Sequence, residues 1–485
     1  MQEINIITKR IEGNYIKEIS NYSIEKIKEL YRGQIVRIDH ITELKEVSMN
    51  ELSKLIYANK KNKFPYGLII NGNYILCEEL TLFSIIDYEN NSIDIENINK
   101  YFKTKNIITE MNFNKIIIFS TKSMLLNNII IPLEFSEGFH VQNRCNHKLI
   151  ADTLSKAATK LLNMTYSTGK FIYGINALTG EKYTNYNVLR HAGSIWALIN
   201  TKDYIDDPEV ESKIDKLIQY LIDEYLIEKR NKAFLYRNDK KDGFSIGSCG
   251  LMLLLLADYQ IYFNNDKYME LAKKVANGII SMQQPNGHYF QLYDKNFELS
   301  DQFICEYYVG ETTLGLIKMY SITKEQKYLD SVIDALDYYI SINFEKYNDH
   351  WMAYTLAEIT KYVQDEKIVK FAIKNVTEKQ KNRFCPSRLE GNMQLYKFYH
   401  QIKLSNSFKE LLEEFPIEQV ESNINFYVKT LMSYFIGKET AIYTKKTKRS
   451  LYGFFCPTDS NRMRIDDIQH SIMGLKNYYE CYEKE

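Results

Sequence analysis

The residues best suited to chemistry recur at the starts of apolar segments rather than in one compact motif. Residues 185–198 read as a helix start. Asn185 or Asn187 can cap it, and Leu189, Ala192, Gly193, Trp196 and Ala197 form an apolar stripe at helical spacing. Arg190 and His191 fall in the first turn, where a cation meets the positive end of the helix dipole. His191 is suited to general acid–base work near neutral pH, and Arg190 to fixing a carboxylate or phosphate. The plainer alternative is a capping and packing pair.

The same arrangement returns four times. Glu311 lies among Tyr307, Tyr308, Gly310 and Gly315, where a ligand can approach closely and stack, although an acid at a helix start is also ordinary capping. Asp349-His350-Trp351 offers a cap, a proton-transfer group and a flat sugar platform. The chain has only two tryptophans, Trp196 and Trp351, and both sit near such starts, a coincidence that core packing also explains. Asp466 and His470 are four residues apart on one helix face, so an imidazole oriented by Asp466 is expected, with Asp467 alongside. The alternative there is a double-acid cap with a packed histidine. Glu390-Gly391 completes the set, with Arg388 nearby.

Apolar residues at i, i+3, i+4 and i+7 mark helices at about 147–163, 187–199, 209–228, 247–263, 267–283, 309–321, 326–342, 350–363, 366–380, 389–402, 417–435 and 466–482. Short aromatic elements punctuate them: Gly169 to Tyr173, Lys232 to Tyr236, Gly287 to Phe290 and Tyr452 to Phe455, with weaker versions at Asn348 to Trp351 and Asn382 to Phe384. The even-numbered helices are apolar around much of their circumference, as in Gly250–Ala257. The odd-numbered ones carry charged faces, such as Asp215-Lys216 and Lys273-Lys274. An inner ring of six parallel helices inside an outer ring of six satisfies both patterns. All inner helices then start at one mouth, whose positive helix ends favour an anionic or oxygen-rich guest. The uneven marker spacing argues for a closed ring over a rising solenoid.

Residues 1–135 read differently, as a small α/β or α+β module of unassigned role. Helices are expected at Ile24–Tyr31 and Met49–Ala58, and strands at Gly67–Ile70, Tyr74–Leu76 and Lys115–Phe119, with Asn71-Gly72-Asn73 as a hairpin turn. Residues 136–146 read as the connection, and 147–485 as the catalytic barrel.

On helix number, aromatic punctuation and polar inner-helix starts, residues 147–482 resemble the (α/α)6 toroids. These include six-hairpin glycosidases, unsaturated-glucuronyl hydrolases and N-acylglucosamine 2-epimerase-like proteins. Gln283-x-x-x-Gly287-x-Tyr289 is similar to a Q-x-x-x-G-x-W turn of terpene-cyclase toroids. The resemblance implies action on sugars. The first expectation is a glycoside hydrolase acting on an acidic or oxygen-rich saccharide. Two carboxylates from Glu311, Asp349, Asp466 and Asp467 would be acid and base, Tyr307, Tyr308, Trp196 and Trp351 would stack the sugar, and Arg190 and Glu390 would bind it. The second is an epimerase in which two of His191, His350 and His470 move a proton. The third is a peptide-binding or peptide-modifying toroid.

Composition narrows the field. Lys+Arg and Asp+Glu balance at 62 each, which argues against bulk attraction to nucleic acid or anionic membrane. The N-terminus has no signal-peptide pattern, and the most apolar run, Leu251–Ala257, is too short to span a bilayer. Seven scattered cysteines without a C-x-x-C pair suit a reduced, cytoplasmic setting. Cys249-Gly250 resembles the Cys-Gly element of lanthionine cyclases, but no Cys-His pair accompanies it. A zinc site from Cys305, Cys385 and Cys456 is geometrically conceivable, and the expectation is no cofactor. The partner expected is a small molecule or oligosaccharide.

Overall fold

The inner helices expected to bury themselves do so. The computed structural model describes the chain apart from residues 1–3, 12–13, 61–62, 103–114, 143–145, 239–242, 301, 377–384, 406 and 483–485. Twelve barrel helices form among the described residues. The outer six are α1 (His147–Asn163), α3 (Val210–Tyr225), α5 (Met269–Ile280), α7 (Gln326–Ser341), α9 (Glu366–Lys374) and α11 (Ile417–Ser433). The inner six are α2 (Val188–Asn200), α4 (Ile246–Phe263), α6 (Tyr307–Thr323), α8 (His350–Ile359), α10 (Ser387–Ser405) and α12 (Ile465–Tyr482). Each inner helix packs on the next, and α12 packs on α2, so the ring is closed. A strand pair between Gly174–Asn176 and Arg462–Arg464 clasps the first hairpin to the last.

Composition sorts the two rings. In α4 the first fourteen residues, Ile246 to Tyr259, are all buried. Such a helix has no solvated face and must sit inside. It is also long and apolar enough to cross a membrane, contrary to the expectation from the shorter run Leu251–Ala257, but it is a core helix of the barrel. Backbone contact tightens this part of the ring: a Cβ on Gly250 would lie 2.8 Å from the backbone of Thr312 in α6.

The aromatic punctuation proves to be a clip between neighbouring hairpins. Gly287 has φ +90°, and a Cβ there would meet the Asp334 carbonyl of α7 at 2.0 Å. Gln283 Nε2 donates to the Ser331 carbonyl at 2.8 Å, and Tyr289 Oη pairs with the Ser331 hydroxyl at 2.8 Å. Only glycine accepts that backbone conformation at so close an approach. Asn382 to Phe384 lies outside the described residues, as does Cys145.

The N-terminal part is α+β. An antiparallel sheet runs in the order Asn14–Ser20, Asn5–Ile11, Ile35–Val47, Ile116–Asn127, Gly67–Ile70, Tyr74–Leu76, with Ile129–Pro132 also pairing along 116–127. Helices Ile24–Leu30 and Met49–Ala58 form as expected, and Asn71 and Gly72 both have positive φ, as a tight hairpin turn requires. The three strands before residue 48 were not expected. The sheet meets the barrel through a buried ionic cluster. Arg37, 1% exposed, pairs with Asp39 at 3.0 Å and with Glu79, while Tyr443 of the barrel reaches Asp39 at 3.3 Å. Arg10 donates to the Ile442 and Thr444 carbonyls at 2.9 and 2.8 Å.

Candidate functional site

Three side chains from the starts of neighbouring inner helices meet at the mouth. His350 opens α8, Glu390 lies in the first turn of α10, and His470 lies in the second turn of α12. Their donor atoms lie within 4.8 Å of one another. His470 Nδ1 is 2.6 Å from Glu390 Oε1, and the two imidazoles sit edge to face with centroids 5.0 Å apart. Glu390 is fully buried and its other oxygen accepts from the Tyr354 hydroxyl at 2.9 Å. Asn477 Nδ2 donates to that hydroxyl at 2.9 Å, and Lys397 Nζ donates to Asn477 Oδ1 at 2.6 Å, so a polar chain runs inward from the mouth.

The two histidines are biased in opposite directions. Burial, the neighbouring His470 and Arg388 hold the His350 pKa well below its ordinary value, so the ring is neutral. Its Nε2 is buried without a hydrogen-bond partner. Burial also works against a charged His470, but Glu390, with Asp466 and Asp467 behind it, outweighs burial and raises its pKa. Glu390 is itself raised by burial, with His470 and Tyr354 opposing. The mouth therefore sets an imidazole biased toward its neutral form beside one biased toward its protonated form. Tyr307, 40% exposed, lies edge to face with His350 at 5.6 Å and forms part of the approach.

The remaining expected residues divide between support and packing. Trp351 and Trp196 lie against each other at a tilt of 55°, with centroids 5.1 Å apart, and the Trp351 ring centroid lies 6.2 Å from that of His470. Trp196 Nε1 donates to the buried Asp258 at 2.7 Å, which pins it as a floor. Asp349 caps α8, accepting from the backbone of Trp351 and Met352 at 3.0 and 3.1 Å. Its pKa is nonetheless well above normal because it is buried. Glu311, 2% exposed, is raised well above its usual range by burial and by Asp349, and its Oε2 has no partner. Tyr308 is buried beside it.

Four expectations do not hold as drawn. His191 does not join the cluster. It is stacked on Tyr220 of α3 at 5.5 Å, shares a 2.5 Å hydrogen bond with Tyr186 and has a pKa pushed down to about 3 by burial. Asp466 does not orient His470, because it pairs with Arg190 at 3.1 Å and Arg464 at 3.0 Å. Arg190 is thereby neutralised and also donates to Tyr173. Asp467 is held by Arg462 at 3.1 and 3.0 Å. Tyr354 and Asn477 were missed. They follow His350 by four and His470 by seven, and that helical spacing of polar groups was the available signal.

The cluster of two histidines and a carboxylate has the donor types that suit a divalent transition metal. It contains none of the cysteines considered for zinc. Cys249 is buried and accepts from the Leu235 backbone at 3.3 Å.

The family model described as lanthionine synthetase C-like protein matches residues 140–351. No curated protein matches the sequence. Among solved structures, a D-mannose isomerase aligns with a TM-score of 0.52 at 9% identity, covering 69% of this chain and 98% of its own. The GH76A alpha-1,6-mannanase from Salegentibacter sp. HEL1_6 aligns at 0.48 and 11% identity, covering 68% and 98%. A sugar epimerase from a ruminal bacterium aligns at 0.45 and 12% identity, covering 60% and 88%. The barrel has an (α/α)6 toroid fold, which it shares with that D-mannose isomerase.

Proposed function

We propose that the protein moves a proton at the carbon beside a sugar carbonyl, as an aldose–ketose isomerase or 2-epimerase. The observation that carries this reading is the pairing of His350 and His470, biased in opposite directions, against one buried carboxylate. Groups whose surroundings drive their pKa values apart are suited to opposite roles in proton transfer. Neutral His350 takes the proton from the carbon next to the carbonyl. The C–H electrons form the enediol double bond, and protonated His470 delivers its proton to the carbonyl oxygen. His350 then returns its proton to the former carbonyl carbon while the adjacent hydroxyl gives its proton to His470 and becomes the new carbonyl, which completes isomerisation; return to the other face of the original carbon, with the first oxygen giving its proton back to His470, completes epimerisation. Glu390 stabilises the imidazolium and fixes the orientation of the ring.

Hydrolysis of a glycoside is less well supported. It needs an ionised carboxylate facing an acid across the bond. Asp466 and Asp467 are engaged by arginines, Asp349 caps a helix, and burial biases Glu311 toward its protonated form. A peptide substrate has the partial family match in its favour and no cysteine donor set in the mouth.

The test is proton exchange in deuterated water with D-mannose, D-glucose, D-fructose and N-acetyl-D-glucosamine, read by NMR. Deuterium at the carbon next to the carbonyl supports the proposal. No exchange with any of these sugars, together with cleavage of an aryl glycoside, would replace it with hydrolysis.

A further inference from the structure

A second cleft lies outside the mouth. A cleft of about 660 Å³ runs along the outer face of α1 and is walled by residues 448–452. None of His350, Glu390 or His470 lines it. Its floor is apolar, from Met164, Ile172, Ile175 and Leu451. Its rim carries Lys156, Lys160, Lys182, Lys448 and Arg449 against the acids Asp152 and Asp206. Among the described residues, Lys156 alone of these five has a carboxylate partner, Asp152 at 2.7 Å. Lys182 donates to the Tyr166 hydroxyl at 3.0 Å and Arg449 to the Gly180 carbonyl at 3.0 Å. Lys160 donates to the backbone carbonyls of Lys448 and Arg449 at 3.4 and 2.5 Å. An excess of cations held by neutral oxygens over an apolar floor is complementary to one kind of ligand.

We propose that this cleft binds an amphipathic organic anion, with a phosphate or carboxylate head at Lys160 and Lys448 and an apolar body on the floor. Burial pulls the Lys160 pKa down to about 8. The charged groups around it are Asp152 and Lys156 on its own helix, Lys182 on the following turn, Asp206 beyond α2, and Lys448 and Arg449 on the opposite wall. A bound anion restores charge to the Lys160 amine, so binding near pH 8 takes up part of a proton.

Isothermal titration calorimetry of the whole protein at pH 8 tests this, with phenyl phosphate and benzoate as probes in two buffers of different ionisation enthalpy. The expected result is saturable binding of at least one probe, with a buffer-dependent heat that reports proton uptake. Inorganic phosphate and benzyl alcohol bind more weakly. Lys160→Met and Lys448→Glu each weaken binding about tenfold or more, the scale of a lost charge-assisted hydrogen bond. Binding by phenyl phosphate but not benzoate identifies a phosphate head, and the reverse a carboxylate. Absence of binding by both probes, equal affinity for inorganic phosphate, heats independent of buffer, or full affinity in a folded variant overturns the proposal. If Lys160→Met does not fold, the exposed Lys448→Glu variant and the wild-type proton uptake decide it.

Discussion

His470 Nδ1 stands 2.6 Å from Glu390 Oε1, across a sequence separation of 80 residues. That bond commits one nitrogen of the ring to the protein and leaves the other for a guest. It also fixes which helices must stay in register for the mouth to work, since α10 and α12 each supply one partner.

Replacing either mouth histidine is expected to abolish exchange while leaving the fold intact. His350→Asn and His470→Asn should each lower the turnover rate by about 10²- to 10⁴-fold, the usual share of a positioned acid or base. Circular dichroism and thermal melting check that the barrel persists. Exchange should survive treatment with a metal chelator. Loss on chelation and recovery with added metal would turn His350, Glu390 and His470 into a metal site.

Glu390→Gln is expected to shift the pH profile as well as the rate. Glu390 raises the His470 pKa, so its carboxylate keeps the ring protonated to higher pH. Removing the charge lowers that pKa, and the alkaline limb of the turnover profile should move to lower pH. Tyr354→Phe keeps the charge and should leave the limb closer to wild type, with a smaller loss of rate.

His191 belongs to stability. Its folded pKa of about 3 lies below the ordinary value of 6.5, so the fold favours the neutral ring. The stabilisation is intact above pH 6.5 and is lost as pH falls toward 3. At pH 5 the loss amounts to about 2 kcal/mol. Urea unfolding at pH 7 and pH 5 should show His191→Gln losing less stability on acidification than wild type by about that amount. An equal acid sensitivity in both proteins contradicts the assignment.

The cluster between sheet and barrel should be sensitive to removal of its cation. Arg37→Met leaves Asp39 and Glu79 buried without their partner, and Glu79 has a pKa held at about 2 against the cost of burial, chiefly by Arg37 and His140. Breaking a buried pair in this way costs about 3–5 kcal/mol. Urea unfolding should show that loss, and the double replacement Arg37→Met with Glu79→Gln should recover part of it.

The barrel was legible in the sequence because inner and outer helices differ in kind. Ile246 to Tyr259 has no polar face, and Lys273-Lys274 cannot be buried, so ring membership follows from composition. Half of the N-terminal sheet was not legible. Residues 5–11 pair with 14–20, and 5–9 also pair with 36–40, but their charged and apolar residues do not alternate cleanly. In the mouth, sequence indicated which helix starts matter but not where each side chain points. His191 and His350 occupy similar places, yet one faces an outer helix and the other its inner neighbours. Asp466 lies one turn before His470, but Arg190 and Arg464 reach it first. Contacts between helices decide such choices, and local spacing carries no trace of them.

The clasp between the first and last hairpins includes a hydrogen bond from Asn176 to the Ser460 carbonyl, 284 residues away. During synthesis at about 5–20 residues per second, the first hairpin waits roughly 15–60 s for its final neighbour to leave the ribosome. Until then the apolar flank of α2 that will meet α12 is exposed. Shielding of that flank in the nascent chain, by a chaperone or by transient collapse, therefore bears on the yield of native protein independently of its final stability.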